Sequence, residues 1–185
     1  MHAQALAPCR RSFLKLGAIG TAALIGGGWV AARLTDGSAA PVLADAANLT
    51  PAVQQMLWRS FDATLHGIIP EGREQELLTR SLAVLDQGMS GMAPHMRKEL
   101  TSVLSLLAFA PARLALTGRW SGWQDASRDE VAQYLTGLRD SDTALRRLVF
   151  VTLHDLATSS FYALEESWPL VGYDGPWFTG PGQEV

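Results

Sequence analysis

Apolar side chains recur every three or four positions over most of residues 50–164, which is the spacing of one face of an α-helix. The first helix is predicted to begin at Thr50 and Pro51, because threonine is a favourable N-cap and proline fits the first helical turn. It is expected to end before the Pro-Glu-Gly run at 70–72. Its apolar face consists of Val53, Leu57, Phe61, Leu65 and Ile68.

Two further helices are predicted on either side of a break at 88–94, which contains glycine and proline. The earlier helix covers residues 73–87. The later one runs from 95 to 110, and a short helical piece continues to Leu116. Their apolar stripes consist of Leu78, Leu82 and Leu85 in the earlier helix and of Leu100, Val103, Leu104 and Leu107 in the later one.

The last two predicted helices carry recognisable start signals. Ser127 and Glu130 have the spacing of a capping box, and Asp142 is predicted to cap a final helix over 143–164. The final helix is apolar on two faces, so we expect it at the centre of the bundle, packed from both sides. No segment has the pattern of a strand, and the predicted fold is an all-α bundle of about five helices. The two faces consist of Leu145, Leu148, Val149, Thr152 and Leu156, and of Phe150, Leu153, Ala157, Phe161 and Leu164.

Two irregular segments are rich in aromatic residues. Residues 165–185 hold three prolines and four glycines within fifteen positions and are predicted to form an extended tail, too apolar for a disordered one. A shorter loop at 118–123 holds Trp120 and Trp123. Aromatic residues in such places are expected to plug the core of their own chain or to anchor a partner.

The amino terminus carries a paired arginine followed by a mildly apolar stretch at 16–32. Its pattern is similar to the twin-arginine export signal, with Cys9 where Ser or Thr is commoner. Small residues allow cleavage after Ala44 or after Ala46. We therefore divide the chain into a signal and cleavage region at 1–44 and one helical domain at 45–185, with a linker predicted across that boundary at 33–49. A retained signal would instead anchor the chain to the membrane. The matching residues are Arg10, Arg11, Phe13, Leu14 and Lys15.

Charge and cysteine content exclude several classes of protein. The part after residue 44 keeps 11 of the 15 basic residues and 17 of the 18 acidic ones, a formal charge of −6. Such a surface repels nucleic acid, so no nucleic-acid partner is expected. The single cysteine, Cys9, lies in the predicted signal. The exported part therefore has no disulfide, no cysteinyl metal site and no thiol nucleophile.

The titratable residues form no familiar catalytic motif. His66, His95 and His154 fall in three different helical regions. His154 and Asp155 are adjacent, so they project about 100° apart on a helix and are not expected to form an oriented base. Acidic residues near the start of the second helix are expected to favour the positive end of its dipole. We predict no catalytic, cofactor-binding or metal-binding residue in this chain.

Several residue groups follow one another through the C-terminal half. They are Gly118-Arg119-Trp120 with Trp123, Asp125 to Ser127, Leu145-Arg146-Arg147, Leu153-His154-Asp155-Leu156, Phe161-Tyr162, and Trp168 to Gly172-Tyr173-Asp174-Gly175-Pro176. This order resembles the gluconate 2-dehydrogenase subunit 3 family, the small accessory subunits of periplasmic FAD-dependent dehydrogenases of the GMC oxidoreductase type. Asp174 stands where that family frequently has proline.

The resemblance implies a non-catalytic periplasmic subunit without a cofactor of its own. Its large partner would hold FAD, oxidise a sugar, alcohol or polyol, and pass electrons to a cytochrome c subunit or a quinone. This chain would support the folding and stability of that partner and its export through the twin-arginine translocase.

The partner interface is predicted at the two aromatic segments and the end of the last helix. Two other functions stay open at this point. The chain could be a free periplasmic protein that binds a small ligand between its aromatic loops, or a metal- or haem-dependent enzyme that uses its three histidines. The predicted interface residues are Trp120, Trp123, Phe161, Tyr162, Trp168, Gly172, Tyr173, Gly175, Pro176 and Trp177.

Overall fold

The computed structural model describes residues 42–109 and 122–175, and all regular structure within these ranges is helical. This confirms the predicted all-α bundle of about five helices. None of the described helices is both long and apolar enough to cross a bilayer. The helices are α1 (Pro51–Thr64), α2 (Glu74–Ser90), α3 (Pro94–Ala108), α4 (Arg128–Arg139) and α5 (Ala144–Tyr162), followed by two 3-10 helices, Glu165–Ser167 and Pro169–Val171.

Two of the three predicted helix caps are confirmed. Thr50 is the N-cap of α1, and its hydroxyl accepts a hydrogen bond from the Val53 N–H. At α4, Ser127 and Glu130 form the reciprocal capping box. The cap predicted at Asp142 is wrong, because the N-cap of α5 is the next residue, Thr143. The Thr143 N–H donates to the hydroxyl of Ser141 at 3.2 Å, so this turn is closed by a serine and not by the carboxylate.

The break predicted at 88–94 is present but shorter, at 91–93, since α2 continues to Ser90 and α3 begins at Pro94. A glycine inside a helix costs only about 1 kcal/mol relative to alanine. Met89 lies one turn after Leu85, and both side chains are buried on the face that packs into the core. Burial of that face therefore outweighs the local penalty at Gly88. The start of α2 and both ends of α3 and α5 differ from the predicted positions by one or two residues, whereas α1 ends at Thr64, several residues before the predicted end at the Pro-Glu-Gly run. The piece predicted to reach Leu116 lies outside the described residues.

The central helix of the described bundle is α1, which contacts α2, α3, α4 and α5. Its buried residues cover a wide arc that includes Met56, Leu57 and Phe61, all with no exposed surface. The prediction that the last helix is central is therefore wrong. One face of α5, with Leu153, Ala157 and Phe161, is fully buried. The other face that was expected to be packed is only partly so, because Leu145 and Leu148 are 58 % and 60 % exposed whereas Val149 is buried.

An ion pair joins the end of α1 to the start of α4. The Arg128 guanidinium donates to both carboxylate oxygens of Asp62, at 3.0 and 2.9 Å, and its third nitrogen lies 3.0 Å from His66 Nδ1. The Asp62 side chain is 7 % exposed and that of Arg128 35 %. Hydrogen bonding to Asp62 raises the pKa of Arg128 above its ordinary value. The two side chains differ in burial, since only the Asp62 carboxylate is buried.

This difference in burial predicts that removal of Arg128 destabilises the fold more than removal of the Asp62 charge. Arg128→Met leaves a buried carboxylate unpaired and is expected to lower the free energy of unfolding by about 2–3 kcal/mol. Asp62→Asn leaves a guanidinium that can turn to water, and we expect a loss of about 1–2 kcal/mol. The double variant should lose less than the sum of the two. Urea unfolding of the four proteins measures these values, and the reverse order of the single variants would contradict this account.

The last part of the predicted linker belongs to the folded domain. Residues 42–50 form no helix, yet side chains of α1 and α2 hold them in place. The Gln54 side chain accepts a hydrogen bond from the Leu43 N–H at 2.7 Å and donates to the Leu49 C=O at 2.9 Å. The Asp86 carboxylate accepts the N–H groups of Ala47 and Asn48. Richness in Ala, Ser, Gly and Pro suggested a linker, but buried polar side chains of the bundle hold its last residues in place.

Candidate partner-binding surface

Three aromatic residues and one valine form a surface at the end of α5 and in the segment that follows it. The Trp168 indole N–H donates to the Tyr162 C=O at 2.9 Å. The Tyr173 N–H donates to the Trp168 C=O, also at 2.9 Å, and the two rings meet edge to face with centroids 5.4 Å apart. The Val171 N–H donates to the same carbonyl at 3.1 Å. We call Tyr162, Trp168, Val171 and Tyr173 the C-terminal patch.

The C-terminal patch is exposed although its backbone is held. Tyr162, Val171 and Tyr173 are 41 %, 44 % and 46 % exposed. Beneath them, Ser167 has no exposed surface, and its hydroxyl donates to the Leu164 C=O at 2.7 Å. The patch is therefore a fixed apolar surface, presented by a segment that is anchored in the core.

Two predicted glycines shape this surface. Gly172 has φ +71° and ends the second 3-10 helix, a backbone conformation that L side chains rarely adopt. Gly175 has φ +103°, and a Cβ on it would lie 3.4 Å from the ring of Trp168. Glycine at both positions lets the chain turn back and cover one side of the indole.

An ion pair ties the same segment to a second helix. Arg80 of α2 pairs with Glu166 of the first 3-10 helix. The Arg80 and Glu166 side chains are 51 % and 29 % exposed. The pair lies near the surface, so its contribution to stability is modest. It connects the first 3-10 helix to α2.

Two predicted interface residues belong to the core of this chain. Phe161 has no exposed surface, and Trp123 is 4 % exposed, with its ring edge-on to Tyr134 at a centroid distance of 5.4 Å. Phe161 follows Leu153 and Ala157 on the buried face of α5, so helical spacing alone could have assigned it to the core. Neither residue is available as an exposed anchor. Trp120, Pro176 and Trp177 lie outside the described residues, as do the signal residues from Arg10 to Lys15.

The outer face of α5 adds apolar surface that the sequence interpretation missed. Leu148, Val151 and Tyr162 lie within about 60° of one another around the helix axis. Leu148 is 60 % exposed and Val151 46 %. Leu148 was assigned to a packed stripe, and Val151 to neither stripe, because hydrophobic periodicity does not distinguish a face that packs on the same chain from one that packs on another.

The histidines are not brought together. His66 lies beside Arg128 at the end of α1, His95 is exposed on α3, and His154 is exposed on α5. Within the described residues no group of three or more His, Cys, Asp or Glu side chains could hold a metal ion. His154 and Asp155 are adjacent on α5, with Nδ1 and Oδ1 3.5 Å apart. Both side chains are exposed, so the contact lies at the surface and is not enclosed in a site.

The described residues also form a shallow surface groove beside the first turn of α3. No aromatic side chain lines it, so it does not correspond to the ligand pocket that the aromatic loops suggested. Its lining consists of Ala47, Asn48, Pro94, Arg97, Lys98, Thr101 and Ser102.

Comparison of the chain with protein-family models, with curated proteins and with solved structures gives no match.

Proposed function

We propose that this chain is a non-catalytic small subunit of an exported FAD-dependent dehydrogenase of the GMC type. Its role is to support the folding and stability of the large flavin subunit and to carry that subunit through the twin-arginine translocase. The complex oxidises a sugar, alcohol or polyol in the periplasm, and a cytochrome c subunit or a quinone accepts the electrons. The proposal rests on the ordered residue groups of the C-terminal half and on the export signal at Arg10 and Arg11.

The C-terminal patch is the observation that carries this proposal. Interface energy concentrates in a few aromatic side chains that are held rigidly and fit pockets of the partner. Tyr162 and Tyr173 have these properties, since both are more than two-fifths exposed while Trp168 between them fixes their backbone. Binding them costs little side-chain entropy, because the segment is ordered before the partner arrives.

Charge around the patch indicates the chemistry of the partner surface. Glu165 and Asp174 are both exposed; Glu165 lies between Tyr162 and Trp168 in the chain, and Asp174 directly follows Tyr173. Glu166 is already paired with Arg80. An apolar partner pocket with basic residues at its rim would complement this arrangement. Rim charges mainly affect the association rate, so we expect faster association at low salt.

Shared export requires that the two chains bind each other before they cross the membrane. The twin-arginine route carries proteins that are already folded, so a small subunit that binds before transport supplies one signal for both chains. The outer face of α5, with Leu148 and Val151, offers further apolar area for the same partner, because it lies on the side of the helix that carries Tyr162.

A pair of double variants tests this surface. Tyr162→Ala/Tyr173→Ala is expected to weaken retention of the flavin subunit at least about tenfold, since truncation of two central anchors costs more than 1.4 kcal/mol. The matched control is Met96→Ala/Leu106→Ala on α3, where the side chains are 53 % and 57 % exposed. Both double variants should stay folded.

The readout is the amount of flavin that copurifies with the tagged chain after a fixed wash. Equal retention by the two double variants, with unchanged circular dichroism, would contradict the assignment of the C-terminal patch as the interface.

A further inference from the structure

A buried carboxylate of α2 holds the backbone at the point where the folded domain begins. Asp86 is 9 % exposed. Its Oδ2 accepts the N–H of Ala47 at 2.9 Å, and its Oδ1 accepts the N–H of Asn48 at 2.8 Å. The Asn48 side chain completes the contact by donating to the Asp86 C=O at 2.9 Å and to the Ser90 hydroxyl at 2.8 Å.

The charge of Asp86 has no cationic partner among the described residues. Its two oxygens accept neutral amide groups, and no described Lys, Arg or His side chain pairs with it. Removing a carboxylate from water is costly unless hydrogen bonds and an opposite charge compensate. The nitrogen of Ala47 already lies against Oδ2, so a positive charge on that nitrogen would pair directly with the carboxylate.

Within residues 42–50, only the turn at Ala44 and Asp45 is exposed and without a hydrogen bond to the bundle. The residues on either side of it are held: Leu43 is hydrogen-bonded to the Gln54 side chain, and Ala46 packs partly against the core. From Ala47 onward the backbone is held up to α1, because Asp86 binds Ala47, Leu49 is 4 % exposed and Thr50 caps the helix. The backbone that Asp86 holds therefore begins at Ala47, directly after this exposed turn and Ala46.

From this geometry we infer that a signal peptidase cuts the chain between Ala46 and Ala47 and that Asp86 receives the new terminal ammonium. Ala44 and Ala46 supply the small residues that such a peptidase requires at positions −3 and −1. Water adds across the peptide bond, Ala46 leaves with a carboxylate, and the freed amine of Ala47 takes a proton. The neutral contact with Asp86 becomes a charge-assisted one, which is roughly twice as strong. This inference rests on the export proposed above.

The other candidate cut places the new charge elsewhere. Cleavage after Ala44 would put the ammonium on Asp45, in the exposed turn and two residues before the nitrogen that Asp86 binds. In that product Asp86 would still accept the neutral amide N–H of Ala47, and residues 45 and 46 would precede it. The fold therefore distinguishes two cleavage positions that the small residues alone do not.

The N-terminus of the exported chain tests the position of the cut. The full chain with a C-terminal tag is isolated from the periplasm, and its intact mass is expected to match a protein that begins at Ala47. Ala46→Gln should block this product, whereas Val42→Lys, which alters only the other cleavage site, should leave it unchanged. An exported chain that begins at Asp45, or that keeps its full length, overturns the inference while the export proposal stands. A full-length chain that stays in the cytoplasm overturns both.

The role of Asp86 is tested by comparing cut and uncut protein. The uncut chain is taken from the cytoplasm of cells that carry Arg10→Lys/Arg11→Lys. Asp86→Asn keeps the shape and one acceptor oxygen but removes the charge. We expect this substitution to lower Tm by about 3–6 °C more in the cut chain than in the uncut one, because only the cut chain has the ammonium. Equal shifts in the two forms would overturn the pairing.

Discussion

Phe161→Ala is expected to lower the free energy of unfolding by about 3–5 kcal/mol, which is the usual cost of deleting a fully buried phenylalanine side chain. Phe161 has no exposed surface and lies on the face of α5 that packs against α1, α2 and α4. The cavity would open in the middle of the core, where the neighbouring helices cannot close it. Urea unfolding followed by circular dichroism measures the loss.

Tyr162→Ala is the matched control, since the two aromatic residues are adjacent and their rings are 5.5 Å apart. The Tyr162 side chain is 41 % exposed, so we expect a loss of about 1 kcal/mol or less in stability. Its partner binding should weaken instead. Equal destabilisation by the two substitutions would contradict the division of this Phe-Tyr pair into one core residue and one surface residue.

Arg10→Lys/Arg11→Lys is expected to abolish export of this chain and to hold the flavin subunit in the cytoplasm with it. The reason is that the paired arginines are the feature by which the translocase recognises this class of signal. Lysine keeps the charge, so the variant tests recognition of the arginines and not the charge of the segment. Fractionation of cells and immunodetection of both subunits measure the effect.

Arg33→Lys is the control for this export experiment, because Arg33 follows the apolar stretch and lies outside the paired motif. It should leave the distribution of both subunits unchanged. A flavin subunit that reaches the periplasm while this chain stays behind would contradict shared export on one signal.

Features set by residues close in sequence were predicted well. The capping box of Ser127 and Glu130 and the start of α1 at Thr50 depend on contacts three residues apart, so the sequence pattern contains the whole interaction. Asp142 failed for a related reason. Ser141 accepts the N–H of Thr143, and the helix begins one residue later than a cap at Asp142 would place it; the pattern could not choose between the two starts.

Features that depend on distant residues were not predicted. The pairs Asp62 with Arg128 and Asp86 with Ala47 join positions 66 and 39 apart in the chain. Polar residues at helix ends usually face water, so nothing local distinguishes these two carboxylates. For α5, both apolar faces have helical spacing, and only the position of α1 decides which face is buried. Helical spacing already placed Phe161 on a packed face, whereas the exposure of Tyr162 and Tyr173 became known only with the packing.

Purification of the tagged full-length chain from periplasm and membranes, followed by an absorbance spectrum, tests the central proposal most directly. The account predicts that a large polypeptide copurifies in a constant ratio and that the complex has the spectrum of a bound flavin. A colourless chain that purifies alone from both fractions would contradict it.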